Sequence, residues 1–310
     1  MGNIRSIAIK AAGKCMSKSM RNQLRLAICP NTLWPYQTWL INPKHHFIYC
    51  PIPKVACTSL KHWFIHSLGE DIDFKDISEA HAHVDKNYTL LHTDRRQAKH
   101  AIHHYQRMVV VRNPWSRIVS GYIDKFVREP FNPPKADVME AIYRRKGHQV
   151  NRTGTYIWKT MGQEIKMPMD PAIPYHEGIS FQDFVEYLSL TPNRELDAHW
   201  LPQHSFLGKY QFQWVLKVED LNHDVTQFEN AINMPNIELA RLHNADSKPA
   251  KQSLPPDSKL SALVSSELVD YSSKLKPHNL LTKELVEQLG ERFAQDAKQF
   301  HYQPPKLSDK

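Results

Sequence analysis

FIYCPIPKVACTSLKHWF, residues 47–64, decides how the rest of the chain is read. Phe47, Ile48, Tyr49 and Cys50 form a short apolar run of strand length. Pro51 and Pro53 punctuate a turn, Lys54 follows, and Val55, Ala56, Cys57, Thr58 and Ser59 lead into an amphipathic segment. The order is strand, loop, helix. Such a loop brings a lysine to the start of a helix, where unpaired N–H groups and partial positive charge favour an anion. The loop contains no glycine, so small side chains and hydroxyls must do what glycines do in other phosphate loops.

The same pattern recurs downstream. In RMVVVRNP, Met108 to Val111 is a continuous run of the kind buried on both faces of a parallel sheet. Pro114 suits a first helical turn, and Trp115, Ile118, Val119, Tyr122 and Phe126 follow at helical spacing. A third unit starts at Trp214 to Val218, with Asp220 onwards helical and Val225, Phe228 and Ile232 on one face. Leu280 to Phe300 reads as helix, stopped by Pro304 and Pro305. Strands alternating with helices predict an α/β fold, a parallel sheet flanked by helices. Two proline-rich stretches, 129–134 and Met167 to Glu177, read as irregular loops above the carboxyl ends of the strands, where an open α/β sheet receives its ligand. The polar stretch Asn244 to Asp257 reads as another surface loop.

Composition narrows the function classes. Hydrophobic residues at 41% and charged residues at 23% are ordinary for a folded soluble protein, and no apolar run approaches the ~20 residues of a membrane span. Forty Lys and Arg against 32 Asp and Glu, a net +8 with the 18 histidines neutral, point to an anionic partner. No aromatic-interleaved basic stripe or zinc-ligand spacing accompanies that charge, so nucleic acid is not the expected partner. Neither G-x-x-x-x-G-K-[ST] nor G-x-G-x-x-G is present, which speaks against nucleoside-triphosphate and Rossmann sites. Four cysteines, Cys15, Cys29, Cys50 and Cys57, are too few for a disulfide framework. The first 28 residues carry Arg5, Lys10, Lys14, Lys18, Arg21 and Arg25 and no acid, the composition of a basic surface helix or a solvated start. MGNIRS also fits the loose myristoylation pattern at Gly2, one short enough to arise by chance.

The second unit supplies what a nucleotide with a further phosphate needs. Arg112 leaves the end of its strand and Ser120 lies eight residues on in the following helix. A guanidinium offers a fork of donors to a phosphate, and a helix hydroxyl completes the clamp. Together, IYCPIPKVACTSLK and VVVRNPWSRIVSGYIDKF resemble the 5′-phosphosulfate loop and 3′-phosphate segment of the sulfotransferase superfamily. DAHWLPQ (Asp197 to Gln203), LKVEDL (Leu216 to Leu221) and ERFAQDAKQFHY (Glu291 to Tyr302) are similar to later landmarks of its carbohydrate branch, the Golgi chondroitin, dermatan and HNK-1 type enzymes. The likeness covers Phe47 to Tyr302.

The resemblance implies a P-loop-like sulfotransferase fold over 41–303, after a basic segment 1–40 and before a tail 304–310. It implies transfer of a sulfuryl group from 3′-phosphoadenosine 5′-phosphosulfate (PAPS) to a carbohydrate hydroxyl, with release of PAP and no metal. Lys54, Val55, Ala56, Cys57, Thr58 and Ser59 are then expected at the 5′ end of the nucleotide, with Lys54 also catalytic, and Arg112 and Ser120 at the 3′-phosphate. A general base is required. Of the histidines between the two segments, His62, His66, His81, His83, His92, His100, His103 and His104, His92 is the first choice, and His199 in DAHW is the runner-up. Glu219 equally suits a helix cap or an ion pair. Animal members of this branch are Golgi membrane proteins with lumenal disulfides. This sequence shows no anchor and no cysteine after Cys57, so a cytoplasmic location is expected, with peripheral membrane contact through the basic N-terminus as the alternative. Two other functions stay open: PAP or PAPS binding without turnover, and sulfation of a non-carbohydrate hydroxyl.

Overall fold

Six residues, Gln106 to Val111, form the strand around which the chain is organised (β3 below). A computed structural model describes residues 33–70, 72, 77–128, 133–160, 163–240 and 260–307. The basic residues of 1–32, the loop at 129–132 and the whole polar stretch from Asn244 to Asp257 lie outside the described residues. In chain order the elements are β1 (Leu40–Asn42), β2 (Phe47–Cys50), α1 (Cys57–Leu68), α2 (Ile77–Asn87), α3 (Arg95–His104), β3 (Gln106–Val111) and α4 (Pro114–Tyr122). Then come α5 (Pro133–Arg145), β4 (Gly154–Thr160), β5 (Gln163–Met169), α6 (Phe181–Leu190), β6 (Trp214–Lys217), α7 (Leu221–Ala231), α8 (Lys283–Arg292) and α9 (Ala294–Gln299).

The main sheet has the order β1-β2-β3-β6. β2, β3 and β6 run parallel, with Cys50 beside Val109 and Val111 beside Lys217. The edge strand β1, which the periodicity did not single out, is antiparallel to β2. Met108, Val109, Val110 and Val111 are all fully buried, the two-sided burial their continuous apolar run implies. Phe47 meets Phe64 of α1 and Phe228 of α7 edge-on at 5.9 and 5.3 Å, placing those helices on one face. On the other face Trp39 donates its indole N–H to Phe206 O at 3.0 Å, and α3 buries Ala98, Ala101 and Ile102. The core reaches back through Trp39 to Tyr36, so the packed unit begins before residue 41.

Trp115, Ile118, Val119, Tyr122 and Phe126 are buried as their spacing predicts, and Tyr122 and Phe126 join Phe181, Phe184 and Trp200 in one aromatic cluster. Two stretches differ from the sequence reading. Met167 to Met169 is not irregular but ends β5, which pairs with β4 in a seven-pair antiparallel hairpin. Pro168 sits opposite Thr155 in that ribbon, tolerated because each strand of a two-stranded ribbon has a free edge. Leu280 to Phe300 is interrupted twice, by the Thr282 cap of α8 and again at Phe293. The second break brings Asp296, fully buried, to the backbone N–H groups of Gln203 and His204 at 2.6 and 2.9 Å.

Candidate functional site

The loop between β2 and α1 turns through two left-handed residues, Lys54 (φ 68°) and Ala56 (φ 58°). Neither is glycine, and each such residue carries a cost of about 1–2 kcal/mol. Val55 between them is fully buried and pins the loop to the core. Ala56 is the N-cap of α1 and supplies no side-chain cap, and the first helical bond is Leu60 N–H to Ala56 O. The N–H groups of Cys57, Thr58 and Ser59 therefore have no intrahelical acceptor, and they open at the carboxyl end of the sheet beside Lys54. Thr58 is tied sideways through its hydroxyl to His81 Nε2 at 3.1 Å. Lys61, one turn on, donates to Asp85 at 2.6 Å. Ser59 is partly buried.

Arg112 leaves β3 next to this loop. Gln203 clamps its peptide from both sides, accepting from Arg112 N–H at 2.9 Å and donating to Arg112 O at 2.8 Å. Its guanidinium donates to Lys54 O at 3.3 Å, so the two expected phosphate groups of residues, 58 positions apart in sequence, touch. Burial lowers the Arg112 pKa, against the opposing pull of Glu219 and Tyr302. Glu219 accepts from Asn113 N–H at 2.9 Å and from the Tyr302 hydroxyl at 2.8 Å, a bracing role between the start of α4 and the C-terminal segment. Asn113 caps α4 through Ser116 N–H, and Ser120 follows two turns into that helix, half-buried.

Arg117 is the hidden frame of the site. Almost wholly buried, it donates to Pro53 O at 3.0 Å, Leu201 O at 2.9 Å and Ala198 O at 3.1 Å. One side chain thus holds the residue before Lys54 and the segment carrying His199 on the same helix. His199 Nδ1 lies 2.6 Å from Asp197 Oδ1, which also accepts His199 N–H at 2.8 Å. With Nδ1–H given to the carboxylate, Nε2 is the ring's acceptor. Burial raises the Asp197 pKa, but the two hydrogen bonds from His199, the His199 charge and nearby Lys125 outweigh it, and the net shift is downward. Lys125 and Lys54 share the carboxylate of Asp124 at 3.3 and 3.0 Å. Asp124 and Lys125 belong to a π-helical turn, Ile123–Arg128, that continues α4. Lys54, Asp124, Lys125, Asp197 and His199 therefore form one electrostatic chain along the mouth of the sheet.

His92 lies elsewhere on the surface. Its ring is exposed, at the end of a short turn (Leu90–His92) beside β1, and its recorded bond is from its backbone N–H to Thr89 O. No recorded hydrogen bond or ion pair links it to the Lys54 loop among the described residues. Asp124, Gln203 and Asp296 were not singled out as site residues from sequence. Asp124 stands within GYIDKF and Gln203 ends DAHWLPQ, so both were in view, but only folding gives them partners. Among the described residues no group of three His, Cys, Asp or Glu is placed to hold a metal ion.

Two sets of anion-binding donors meet here. Lys54 and the open N–H groups of α1 follow one strand, Arg112 and Ser120 the next, and the Arg112 contact with Lys54 O joins the two sets. Comparison with known proteins points the same way. The model of the Sulfotransferase family matches residues 37–303. Carbohydrate sulfotransferase 10 of Xenopus laevis is 25% identical over 303 residues, 94% of this chain and 74% of that protein. Carbohydrate sulfotransferase 11 of Rattus norvegicus is 27% identical over 219 residues, 68% of this chain and 56% of that protein. Carbohydrate sulfotransferase 8 of Homo sapiens is 25% identical over 228 residues, 68% of this chain and 46% of that protein. The chain thus spans about three quarters of the first relative and about half of the other two. No solved structure matches it.

Proposed function

The chain belongs to the sulfotransferase family, and on that premise we propose that it transfers the sulfuryl group of PAPS to a hydroxyl of a carbohydrate acceptor, releasing PAP. The observation that carries this reading is the contact between the two loops. Arg112 donates to the carbonyl of Lys54 at the carboxyl ends of adjacent parallel strands, so donors for both ends of a 3′,5′-substituted nucleotide converge.

PAPS supplies an activated sulfuryl group whose bond to the 5′-phosphate breaks as the acceptor oxygen bonds to sulfur. The residues of this chain act on the charge and the proton. Lys54 and the N-terminus of α1 stabilise negative charge on the departing phosphate, an interaction that strengthens toward the transition state. The salt bridge to Asp124 holds the Lys54 ammonium at the loop in advance. Arg112 and Ser120 bind the 3′-phosphate. The acceptor proton passes to Nε2 of His199, whose ring Asp197 orients and whose charge that carboxylate stabilises. His199 is supported over His92 because Arg117 ties its segment to the Lys54 loop. A binder without turnover would have no use for that dyad at the loop. The acceptor class rests on the carbohydrate sulfotransferases to which the chain is similar.

The test is a thermal-shift titration with PAP, ADP and 5′-AMP on wild type, Lys54→Ala and Arg112→Ala. A ligand at a hundred times its Kd stabilises the fold by about 2.7 kcal/mol. PAP is expected to raise the unfolding midpoint selectively, and each substitution to weaken it at least tenfold. If PAP does no better than 5′-AMP, the two-phosphate site is misassigned. Release of PAP from PAPS, dependent on an added glycan, then separates turnover from binding alone.

A further inference from the structure

The outer face of α3 carries charge that the transfer site does not use. Arg95, Arg96, Lys99, His100, His103 and His104 are all exposed, while Ala98, Ala101 and Ile102 face the core. The helix contains no acidic residue, and no ion pair is recorded for any of those six among the described residues. Such an arrangement is locally unfavourable. Arg95 and Lys99 are like charges at i,i+4, and two arginines occupy the first turn, where the helix dipole prefers acids. Only the N-cap offsets this, Asp94 accepting from Arg96 N–H at 2.8 Å and Gln97 N–H at 3.3 Å.

The charge continues past the helix. Arg107 and Lys209 lie over the ring of Tyr210 at 5.8 and 5.5 Å, and His103 meets the same ring edge-on at 5.9 Å. Burial and the cations Lys99, His104, Lys209 and Arg107 together lower the His103 pKa. Tyr210 also packs against Tyr36 at 5.5 Å, which joins this cationic surface to the turn Tyr36–Thr38. That turn packs on the turn Leu90–His92 that leads into α3, with Leu90 N–H bonded to Trp39 O at 2.7 Å. Next to these turns stand two large exposed apolar side chains, Trp34 and Leu91, each 45% exposed.

We propose that this face, α3 with Trp34, Leu91, Arg107 and Lys209, docks the protein on an anionic phospholipid surface. Cations alone would suit any polyanion. The adjoining Trp34 and Leu91 favour a lipid interface, where an indole and an aliphatic side chain are accepted beside basic residues that meet the headgroups. Charge continuity supports the same occupant. The chain enters the patch at Trp34, and its first 69 residues contain no Asp or Glu, with Arg5, Lys10, Lys14, Lys18, Arg21 and Arg25 preceding Trp34. The docking face is separate from the nucleotide loops and stands whether or not the proposed acceptor is correct.

The experiment is co-sedimentation of the full chain with vesicles of phosphatidylcholine alone and with about 30% phosphatidylserine added, a composition that gives a negative surface potential. Wild type is compared with Arg95→Glu/Arg96→Glu/Lys99→Glu and with Leu91→Ser. Binding is expected only to the anionic vesicles. Each basic residue near such a surface contributes about fivefold, so the triple variant should partition at least a hundredfold more weakly. Leu91→Ser should weaken mainly the binding that survives high salt, where electrostatics are screened. The unfolding midpoint of the triple variant should not fall, since acids replace the two arginines in the first turn of α3, where the helix dipole favours them. Unchanged vesicle binding in the triple variant would overturn the proposal and assign the membrane contact to the basic N-terminus. Absence of vesicle binding, with heparin retention lost in the triple variant, would overturn it in favour of a soluble polyanion.

Discussion

Replacing Arg117 with Met isolates the frame of the site from its ligand contacts. Burial, opposed by Asp296 and reinforced by Arg112, pulls the Arg117 pKa down to about 10. A depression of that size corresponds to about 3 kcal/mol of unfavourable burial of the charge. Removing the guanidinium returns that energy but leaves three carbonyls, Pro53 O, Ala198 O and Leu201 O, without their donor. Each orphaned buried acceptor costs about 1–3 kcal/mol, roughly 6 together. The net loss is about 3 kcal/mol, a drop of roughly 4–6 °C in the unfolding midpoint for a chain of this length. PAP affinity should fall at least tenfold, because the loop before Lys54 loses its anchor although Arg117 is not assigned a contact with the nucleotide. Arg117→Lys should recover little, since one ammonium does not span three carbonyls. Differential scanning fluorimetry with and without PAP reads both effects. A midpoint within about 1 °C of wild type, with PAP affinity unchanged, would show that backbone packing, not Arg117, holds the two segments together.

Two further outcomes follow from the geometry. His199→Ala should lower kcat by about 10²–10⁴-fold with PAP affinity unchanged, and Asp197→Asn should act in the same direction through the ring it orients. If His92→Ala abolishes turnover and His199→Ala does not, the base is His92. Burial raises the Asp124 pKa, but Lys54 and Lys125 outweigh it and hold the carboxyl below the usual range. The unfolded carboxyl, with a pKa of about 3.9, takes up a proton first as the solution is acidified, so the stabilisation is complete above that pH and is lost as pH falls through the lower folded value. Asp124→Asn should therefore flatten the acid limb of a stability profile below about pH 4 and leave its slope between pH 6 and 8 unaltered. An acid limb that persists unchanged in the variant would place the titrating group elsewhere.

The strands and helices around the site were legible because their signals are local. A continuous apolar run at 108–111, helical spacing after Pro114 and a proline-bounded loop before Thr58 each depend on residues within a few positions. The same locality exposed Lys54, Arg112 and Ser120 as anion-binding candidates. It failed at β4 and β5, where Pro168 and mixed polarity mask a ribbon held by cross-strand pairs, and at Phe293, where the helix break serves a contact 92 to 93 residues away. It also could not choose among the histidines. Residue type and spacing are the same for a solvated ring and a catalytic one, and what separates His199 from His92 is the Asp197 carboxylate and an arginine 82 positions away in sequence. Sequence by itself determined the parallel α/β frame and the two loops that carry the anion-binding candidates, because hydrophobic periodicity and helix termini are properties of neighbouring residues. Tertiary structure alone decided which side chains share a charge, because buried carbonyls, Gln203, Asp296 and Arg117 meet only when distant segments close over the carboxyl end of the sheet.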